Sequence, residues 1–241
     1  MDRFVTFDLW ETLIADSPEL DGSRTEYRVK NTHSLLARRH PGIDIKDIYR
    51  AHEKIWQECS ALWTNARDIS FPGQVRLFIG SMGDDLLTSL DQNEIQTISE
   101  IYSGAVLEFR PRLIAGAREA LERLASRGYR MGLICNTGRT PGITLRELLK
   151  DYAILSFFDS TLFSDETIIR KPDTAIFETA LRELGADRRR TVHVGDSWEN
   201  DVRGAQAAGI GAVWVSPQGQ GPVDCPVIKS VAELPEILDR I

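Results

Sequence analysis

The sequence predicts an α/β protein with a Rossmann-like, three-layer core around a parallel sheet, interrupted by an inserted α-helical cap. From residue 108 onwards, short apolar runs alternate with amphipathic helical patterns, which is typical of a parallel sheet with helices on both faces. Residues 15–107 show helical periodicity instead, so we expect them to form a separate unit inserted after the first strand. The predicted core is therefore residues 1–14 together with 108–241.

The first strand is expected at residues 4–7, where a short aromatic and β-branched run stops at Asp8. Inside the insertion, apolar residues between positions 45 and 62 recur at spacings of three and four, which indicates one face of a helix. A second run of this kind covers 95–106 and follows the capping-box pattern Asp91-x-x-Glu94. Both runs predict amphipathic helices that pack against each other or against the core.

The remaining elements alternate in type along the chain. We expect helices at 117–126, after Pro141, at 176–184 and up to 208, strands at 129–135, 163–165, 191–194 and 212–215, and a last helix that begins with the capping box Ser230-x-x-Glu233. Three strands are followed by polar residues, namely Asp8, Asn136-Thr137 and Asp196. Because ligands bind beyond the carboxyl ends of parallel strands, we expect a site there, with the helical insertion above it.

The composition limits the class of protein. The chain has 241 residues, which is enough for one buried core and a second small unit, and its net charge is −7. The one compact basic cluster, Arg188–Arg190, is interpreted as a solvated loop, so nucleic-acid binding is not predicted. The three cysteines form no C-x-x-C pair, which argues against a disulfide framework or a zinc site and favours a reducing cytoplasm.

Segments that direct a chain to or across a membrane are not expected either. The apolar run at the N-terminus is too short for a secretory signal, and no apolar stretch approaches the roughly 18 residues of a membrane span. We therefore expect a cytoplasmic protein without a membrane partner, a monomer or homodimer that acts on a small-molecule substrate.

Four segments carry candidate chemistry. In chain order they are Asp8-Leu9-Trp10-Glu11-Thr12, Cys135-Asn136-Thr137-Gly138, Arg170-Lys171-Pro172-Asp173, and Gly195-Asp196 with Asp201. Their order and content resemble the four motifs of the haloacid dehalogenase superfamily of hydrolases, and the position of the insertion resembles the members with a helical C1-type cap. The resemblance extends from Asp8 to Gly209, about 84% of the chain.

The resemblance implies a function for each of these residues. It makes Asp8 the nucleophile that attacks phosphorus, and Lys171 the cation that pairs with the nucleophile and the substrate. The implied Mg²⁺ ligands are Asp8, the backbone carbonyl of Trp10 and Asp196, with Asp201 supporting the site from behind. The implied substrate contacts come from the four segments and are made by Trp10, Thr12, Cys135, Asn136, Thr137 and Lys171. An aspartyl-phosphate would form and then be cleaved by water.

Two positions depart from the family pattern. Trp10 stands where a phosphatase of this family carries an acid/base Asp, and an indole cannot serve as a general acid or base near neutrality. Since such a group contributes roughly 10²–10⁴-fold, we expect poor turnover of alkyl phosphates. Glu11 is the nearest substitute, but adjacent residues usually point apart. Cys135 occupies the usual Ser/Thr position and is a weaker hydrogen-bond donor.

The departure at Trp10 leaves two alternatives open. One is a 2-haloacid dehalogenase or a phosphonate-cleaving hydrolase on the same scaffold, since a halide leaving group needs no proton. Dehalogenases typically lack the metal-binding Asp, whereas this chain keeps Asp196 and Asp201. The other is a catalytically impaired binding or regulatory protein, which the intact Asp8 and Lys171 argue against.

Several further residues have a simpler interpretation. We interpret His193 as a core or cap-facing histidine, and Trp56 and Trp63, seven residues apart, as core packing of the insertion. Arg67 and Arg76 would reach a substrate anion only if they faced inward. Substrate choice therefore depends on side-chain directions in the insertion that the sequence does not reveal.

Overall fold

The strand β1 (Arg3–Phe7) lies inside the sheet, and its residues Phe4, Val5 and Phe7 are buried. The computed structural model describes residues 3–83, 85–219 and 224–240, so the predicted ends of the core at residues 1, 2 and 241 lie outside the described part. The other strands are β2 (Ile14–Ala15), β3 (Arg112–Leu113), β4 (Tyr129–Cys135), β5 (Ser160–Phe163), β6 (Thr191–Gly195), β7 (Gly211–Val215) and β8 (Val227–Ile228).

Six of these strands form one parallel sheet in the order β5-β4-β1-β6-β7-β8. The chain builds outward from β1 through β4 to β5, then crosses to the other side of β1 and continues through β6 to β8. Ligand crevices in such sheets lie where this direction reverses, beyond the carboxyl ends of the strands. That point lies between β1, which is followed by Asp8, and β6, which is followed by Asp196.

Helices cover both faces of the sheet. They are α1 (Pro18–Leu36), α2 (Ile45–Trp63), α3 (Phe71–Gly80), α4 (Leu86–Ser89), α5 (Gln92–Glu108), α6 (Ala117–Ser126), α7 (Gly142–Asp151), α8 (Ser164–Thr167), α9 (Thr174–Leu184), α10 (Gly204–Ala207) and α11 (Leu234–Leu238). On one face α6, α7 and α11 bury Leu121, Leu145 and Leu234. On the other, α9 and α10 bury Phe177 and Ala205. The predicted α/β class with a parallel sheet is confirmed.

The helical insertion has its own hydrophobic cluster. Among the described residues, the helices α1 to α5 lie between β2 and β3 and bury Ile48, Val75 and Tyr102 together. The two short strands pair antiparallel, so the chain enters and leaves the helical segment at adjacent points. None of the described helices combines the length and the apolar composition that crossing a bilayer requires.

Several predicted elements have the expected bounds, and others do not. The helix α6 and the strand β4 match the expected ranges, and the Asp91–Glu94 capping box is formed. The strand expected at 163–165 was wrong: β5 lies at Ser160–Phe163, and the next residues form α8. The apolar pattern did not include Ser160, which is polar but buried. Its burial is tolerated because its hydroxyl donates to Glu183 at 2.6 Å.

The two segments that follow β6 and β8 also differ from expectation. The helix expected up to residue 208 begins as a π-helical segment, Trp198–Arg203, because the Val202 amide donates to the Ser197 carbonyl five residues back. At the last helix, Ser230 accepts from the Ala232 amide, and a 3₁₀ turn precedes α11. The expected capping box is therefore absent from the described contacts there.

Close packing at Gly142 yields a first prediction. A Cβ added at Gly142 would lie 2.5 Å from Cγ of the buried Phe163, whereas a Cβ at Gly104 in α5 meets nothing within 4 Å. Gly142→Ala should lower the free energy of unfolding by about 1–3 kcal/mol, because the core must shift. Gly104→Ala should raise it by roughly 0.5–1 kcal/mol through helix propensity. Urea unfolding of both variants measures this, and equal changes would contradict the close contact with Phe163.

Candidate active site

Asp8 lies directly beyond β1 and is nearly buried, with 6% of its surface exposed. Its backbone amide donates to the Val194 carbonyl of β6 at 2.8 Å, which fixes its position between the two central strands. Its two carboxylate oxygens have different donors. Lys171 Nζ lies 2.6 Å from Oδ1, and the Thr12 hydroxyl donates to Oδ2 at 3.2 Å. Thr12, predicted to contact the substrate, thus also orients Asp8.

Lys171 is buried and connects two carboxylates. Its Nζ lies 2.6 Å from Asp8 Oδ1 and 2.6 Å from Asp201 Oδ1. The side chain of Asn136, which follows β4, holds the Lys171 backbone from both sides: it donates to the carbonyl at 2.9 Å and accepts from the amide at 2.8 Å. Asn136 therefore positions Lys171, in addition to any contact with a substrate.

Three carboxylates converge at this point. Asp8, Asp196 and Asp201 each offer an oxygen within 4.8 Å of the others. With Lys171 as the adjacent cation, the three carboxylates leave a formal charge of −3 + 1 = −2. Hard oxygen donors with excess negative charge are what a divalent cation such as Mg²⁺ requires.

The hydrogen bonds around Asp201 explain why it is the fixed member of the three. It accepts from Lys171, from the Ser197 amide at 2.9 Å and from His193 Nε2 at 3.1 Å. His193 in turn bonds the Thr6 hydroxyl through Nδ1 at 2.9 Å. A Cβ at Gly195 would lie 2.3 Å from Asp201 Cγ, so only glycine permits this approach. His193 is thus a core histidine, as expected, and it also supports Asp201.

The three carboxyl groups differ in pKa. Burial alone would raise the pKa of Asp201, but Lys171 and His193 bring it well below its ordinary value. Burial raises the pKa of Asp8 to about 7, with Lys171 opposing and Asp201 adding to the increase. Burial, followed by the Asp201 charge, raises the pKa of Asp196 to about 6. One ammonium cannot neutralise two carboxylates, and it donates one hydrogen bond to each. Asp201 also accepts from Ser197 and His193, whereas Asp8 also accepts from Thr12.

The side chains of Trp10 and Glu11, which follow Asp8, have different surroundings. Trp10 is partly buried and lines a cavity of about 600 Å³ between the helical insertion and the core. Glu11 has a left-handed backbone (φ 55°), and its exposed side chain accepts from the Asp16 amide at 2.9 Å. The Glu11 carboxylate is thus engaged by the Asp16 amide, which does not favour it as a substitute acid.

The segment after β4 is held mainly by residues that the sequence patterns missed. Cys135 is fully buried, and burial raises the pKa of its thiol well above the ordinary value. The Thr137 hydroxyl lies 3.1 Å from Ser164 Oγ and accepts from the Asp165 amide at 3.1 Å. Thr137 lines the cavity, but its hydroxyl is already bonded. Substrate contacts by Cys135 and Thr137 stay predictions.

The cavity walls differ from what the sequence suggested. Trp63 packs against the core of the insertion, as expected, but it also lines the cavity together with Trp56. The centroids of the two rings lie 4.7 Å apart in an edge-to-face arrangement. Arg67 is exposed and pairs with Asp173 at 3.3 Å, and Arg76 is exposed on α3. The arginines that line the cavity are Arg24, Arg28, Arg139 and Arg170. Periodicity gave no signal for them, because arginine is ordinarily exposed.

The family model and a relative that matches most of the chain indicate the same family. The family model described as haloacid dehalogenase-like hydrolase matches residues 3–209. A glyceraldehyde 3-phosphate phosphatase of Methanothermobacter thermautotrophicus is 37% identical over 126 residues, 48% of this chain and 54% of that protein, so the match spans about half the length of this relative. The haloacid dehalogenase-like hydrolase domain-containing protein 3 of Xenopus laevis is 30% identical over 222 residues, 90% of this chain and 85% of that protein.

The solved structures extend the similarity to the whole fold. A 2-haloacid dehalogenase from Pseudomonas syringae pv. Tomato has a TM-score of 0.72 with 24% identity, and the match covers 100% of this chain and 99% of that one. At this identity the likeness establishes the shared fold and nothing about the reaction.

The buried Asp165 yields a pH prediction. Burial raises the pKa of Asp165 to about 6, so the protonated form is favoured by folding. Its stabilising contribution is fully present below the unfolded pKa of about 4 and is lost as the pH rises through about 6. Asn at this position still accepts from the Gly142 amide, which lies 3.1 Å from Asp165 Oδ1, and does not titrate. Relative to the native chain, Asp165→Asn should therefore gain about 1–2 kcal/mol between pH 4.5 and 7.5.

Urea unfolding at the two pH values measures this difference. Glu147→Gln removes an exposed carboxylate from α7 and is the matched control, for which we expect no pH-dependent change. A pH-independent difference between Asp165→Asn and the native chain would contradict the raised pKa.

Proposed function

The chain belongs to the haloacid dehalogenase-like hydrolase family, and we propose that it is a Mg²⁺-dependent phosphohydrolase acting on a small phosphorylated metabolite through an aspartyl-phosphate on Asp8. The observation that carries this proposal is the convergence of Asp8, Asp196 and Asp201 around Lys171, with a formal charge of −2. The relatives named as phosphatases support it. We also propose that residues 15–107 act as a cap over a core of 1–14 and 108–241, which the separate hydrophobic cluster of the insertion supports.

The donor set fits a magnesium ion. Asp8, Asp196 and the Trp10 carbonyl are the proposed ligands, and Asp201 orients Lys171 behind them. When bound, Mg²⁺ supplies the positive charge that allows a carboxylate to approach a phosphate dianion. Its two charges would balance the formal −2 of the acidic cluster.

The residues of the chain then account for both half-reactions. A carboxylate oxygen of Asp8 attacks phosphorus, the bond from phosphorus to the ester oxygen breaks, and the leaving group departs with the electron pair. Lys171 and Thr12 hold the Asp8 carboxylate in position and limit the charge that builds up on the transferring oxygens. Water then attacks phosphorus and passes a proton to a phosphate oxygen or to solvent, the bond between phosphorus and the Asp8 oxygen breaks with its electron pair returning to the carboxylate, and inorganic phosphate leaves. Trp10 provides no acid for an alkoxide leaving group.

The indole of Trp10 is also compatible with a second candidate function. A halide leaving group needs no proton, so carbon–halogen cleavage through Asp8 is compatible with an indole at this position, as is phosphonate cleavage on the same scaffold. The acidic cluster disfavours the dehalogenase, because three buried or half-buried carboxylates without a cation are costly. A catalytically impaired binding protein would keep the cluster and lose turnover. The cytoplasmic location and the monomeric or homodimeric state stay predictions.

The function is tested first with p-nitrophenyl phosphate, whose leaving group needs little protonation. We expect turnover with Mg²⁺, loss of turnover with EDTA, and a loss of at least about 10³-fold in Asp8→Asn, because the nucleophile is removed. Asp47→Asn, an exposed carboxylate on α2, is the matched control. Halide release from a 2-haloacid in EDTA would instead support the dehalogenase. Tight Mg²⁺-dependent phosphate binding without turnover would support the binding protein.

The missing acid at Trp10 gives a second test of mechanism. With chemistry rate-limiting, kcat for aryl and acyl phosphates should exceed kcat for alkyl phosphates, since only the alkyl leaving groups need a proton. Trp10→Asp should raise kcat for alkyl phosphates by about 10²-fold, the usual contribution of a positioned acid. Glu11→Gln should change neither rate, because Glu11 faces Asp16. Comparable kcat for both substrate classes in the native chain would refute this interpretation of Trp10.

A further inference from the structure

Four arginines line the cavity between the insertion and the core, and two of them lack a carboxylate partner. Arg24 pairs with Asp16, and Arg170 pairs with Asp68 at 3.1 Å. Within the described part of the chain, Arg28 and Arg139 form no ion pair. The cavity therefore contains two guanidinium groups whose charge the surrounding protein leaves unmatched.

Arg28 is a buried cation with neutral partners. It lies on α1 and is 1% exposed. Its Nε donates to the Tyr102 carbonyl at 2.9 Å, and its Nη2 lies 3.5 Å from the Thr140 hydroxyl. Burial lowers the pKa of Arg28 to about 10, and the nearby Arg139 and Arg24 contribute to the decrease. The group is still charged at neutral pH, and its two bonds use fewer than half of its five N–H donors.

Arg139 reaches the same cavity from the core side. It follows the segment after β4, and its guanidinium lies over the Trp56 ring at 4.3 Å. Its buried Nε has no hydrogen-bond partner among the described residues. A buried donor without a partner is costly and rare in folded proteins. The Arg139 guanidinium is therefore not fully satisfied by the described residues.

The unpaired charges around the cavity differ in exposure. Arg24 and Arg170 are paired with Asp16 and Asp68, so the other charged residues of the lining are Arg28, Arg139, Asp21 and Glu53. Asp21 and Glu53 are exposed, whereas Arg28 is buried. Burial lowers the pKa of His52 to about 3, so this histidine is neutral. Solvent therefore screens the two exposed carboxylates, and the buried guanidinium of Arg28 is the charge that an anion in the cavity would meet.

The cavity is continuous with the candidate active site. Trp10 and Asn136 both line it. Trp10 lies two residues beyond Asp8, and Asn136 bonds the Lys171 backbone. A molecule that extends from Asp8 past Trp10 therefore enters the space between Arg28 and Arg139.

We propose that Arg28 and Arg139 bind a carboxylate of the substrate, so that the enzyme acts on phosphate monoesters of small hydroxy acids. The inference rests on the proposed phosphohydrolase activity and specifies its substrate class. Planar guanidinium groups match a carboxylate with paired, charge-assisted hydrogen bonds, and these are stronger inside a partly buried cavity than in water. Trp56 and Trp63 provide apolar surface in the wall of the cavity.

The test compares two molecules that differ in one group. In 2-phosphoglycolate a carboxylate replaces the hydroxymethyl group of 2-hydroxyethyl phosphate. Each is measured as a competitive inhibitor of p-nitrophenyl phosphate hydrolysis in Mg²⁺, which reports binding even where the alkyl ester itself turns over slowly. We expect 2-phosphoglycolate to have a lower inhibition constant by about tenfold or more, as charge-assisted bonds predict. Equal constants would overturn the inference and leave the phosphohydrolase activity standing.

Substitutions of single arginines test whether Arg28 and Arg139 cause the preference for 2-phosphoglycolate. The preference for 2-phosphoglycolate should fall by about tenfold in Arg28→Met and in Arg139→Met, since each removes one guanidinium. Arg76→Met, at an exposed arginine on α3, should retain the preference. Circular dichroism checks folding, and if Arg28→Met does not fold, the half-buried Arg139→Met carries the test. A preference that survives in Arg139→Met would overturn the inference.

If the proposed phosphohydrolase function is wrong, the experiments give a different result from the one that would overturn the carboxylate subsite. If p-nitrophenyl phosphate is not hydrolysed at all, calorimetric titration of the native chain with each of the two phosphates in Mg²⁺ replaces the inhibition assay. Tighter binding of 2-phosphoglycolate that weakens in Arg139→Met would support the carboxylate subsite in a protein without turnover. Equal or undetectable binding of both molecules would overturn it.

Discussion

The buried ammonium of Lys171 is the interaction on which the site depends. It lies 2.6 Å from both Asp8 and Asp201, and these two residues follow different central strands of the sheet. A buried charge of this kind is tolerated only with partners, and removal of one partner leaves the others uncompensated. Asn136, beyond a third strand, holds the Lys171 backbone. The strand order around β1 is therefore what brings the nucleophile, its cation and the acids together.

A chain of hydrogen bonds behind Asp201 fixes the position of its carboxylate. Thr6 of β1 and His193 of β6 are direct neighbours in the parallel register, and their side chains bond at 2.9 Å. His193 then reaches Asp201 at 3.1 Å, so the pairing of two strands is transmitted to a carboxylate eight residues farther along the chain. Asp201 is fixed by three donors, whereas Asp8 accepts from two, Lys171 and Thr12. A nucleophile held this way stays available to an incoming phosphorus atom.

The sequence was informative where chemistry coincides with strand ends. Asp8, Lys171, Asp196 and Asp201 were predicted together and lie together, since parallel strands bring their carboxyl ends to one edge. Arg67 and Arg76 are exposed, as arginines usually are. The sequence did not identify Arg28 and Arg139, which line the cavity, because it does not reveal the direction of a side chain on a helix or in a loop. Likewise, no pattern of hydrophobicity reveals that Asp68 contacts Arg170 about a hundred residues away.

That contact joins the insertion to the catalytic segments. The Asp68 side chain is fully buried, and it accepts from Arg170, from the Ser164 hydroxyl and from Trp63 Nε1. Arg170 immediately precedes Lys171, and Ser164 holds Thr137. If the insertion moved away from the core, Asp68 would have to be rehydrated and Arg170 would lose its carboxylate. The position of the insertion and the order of the two active-site loops are therefore coupled through one buried carboxylate, which lies outside all four sequence motifs.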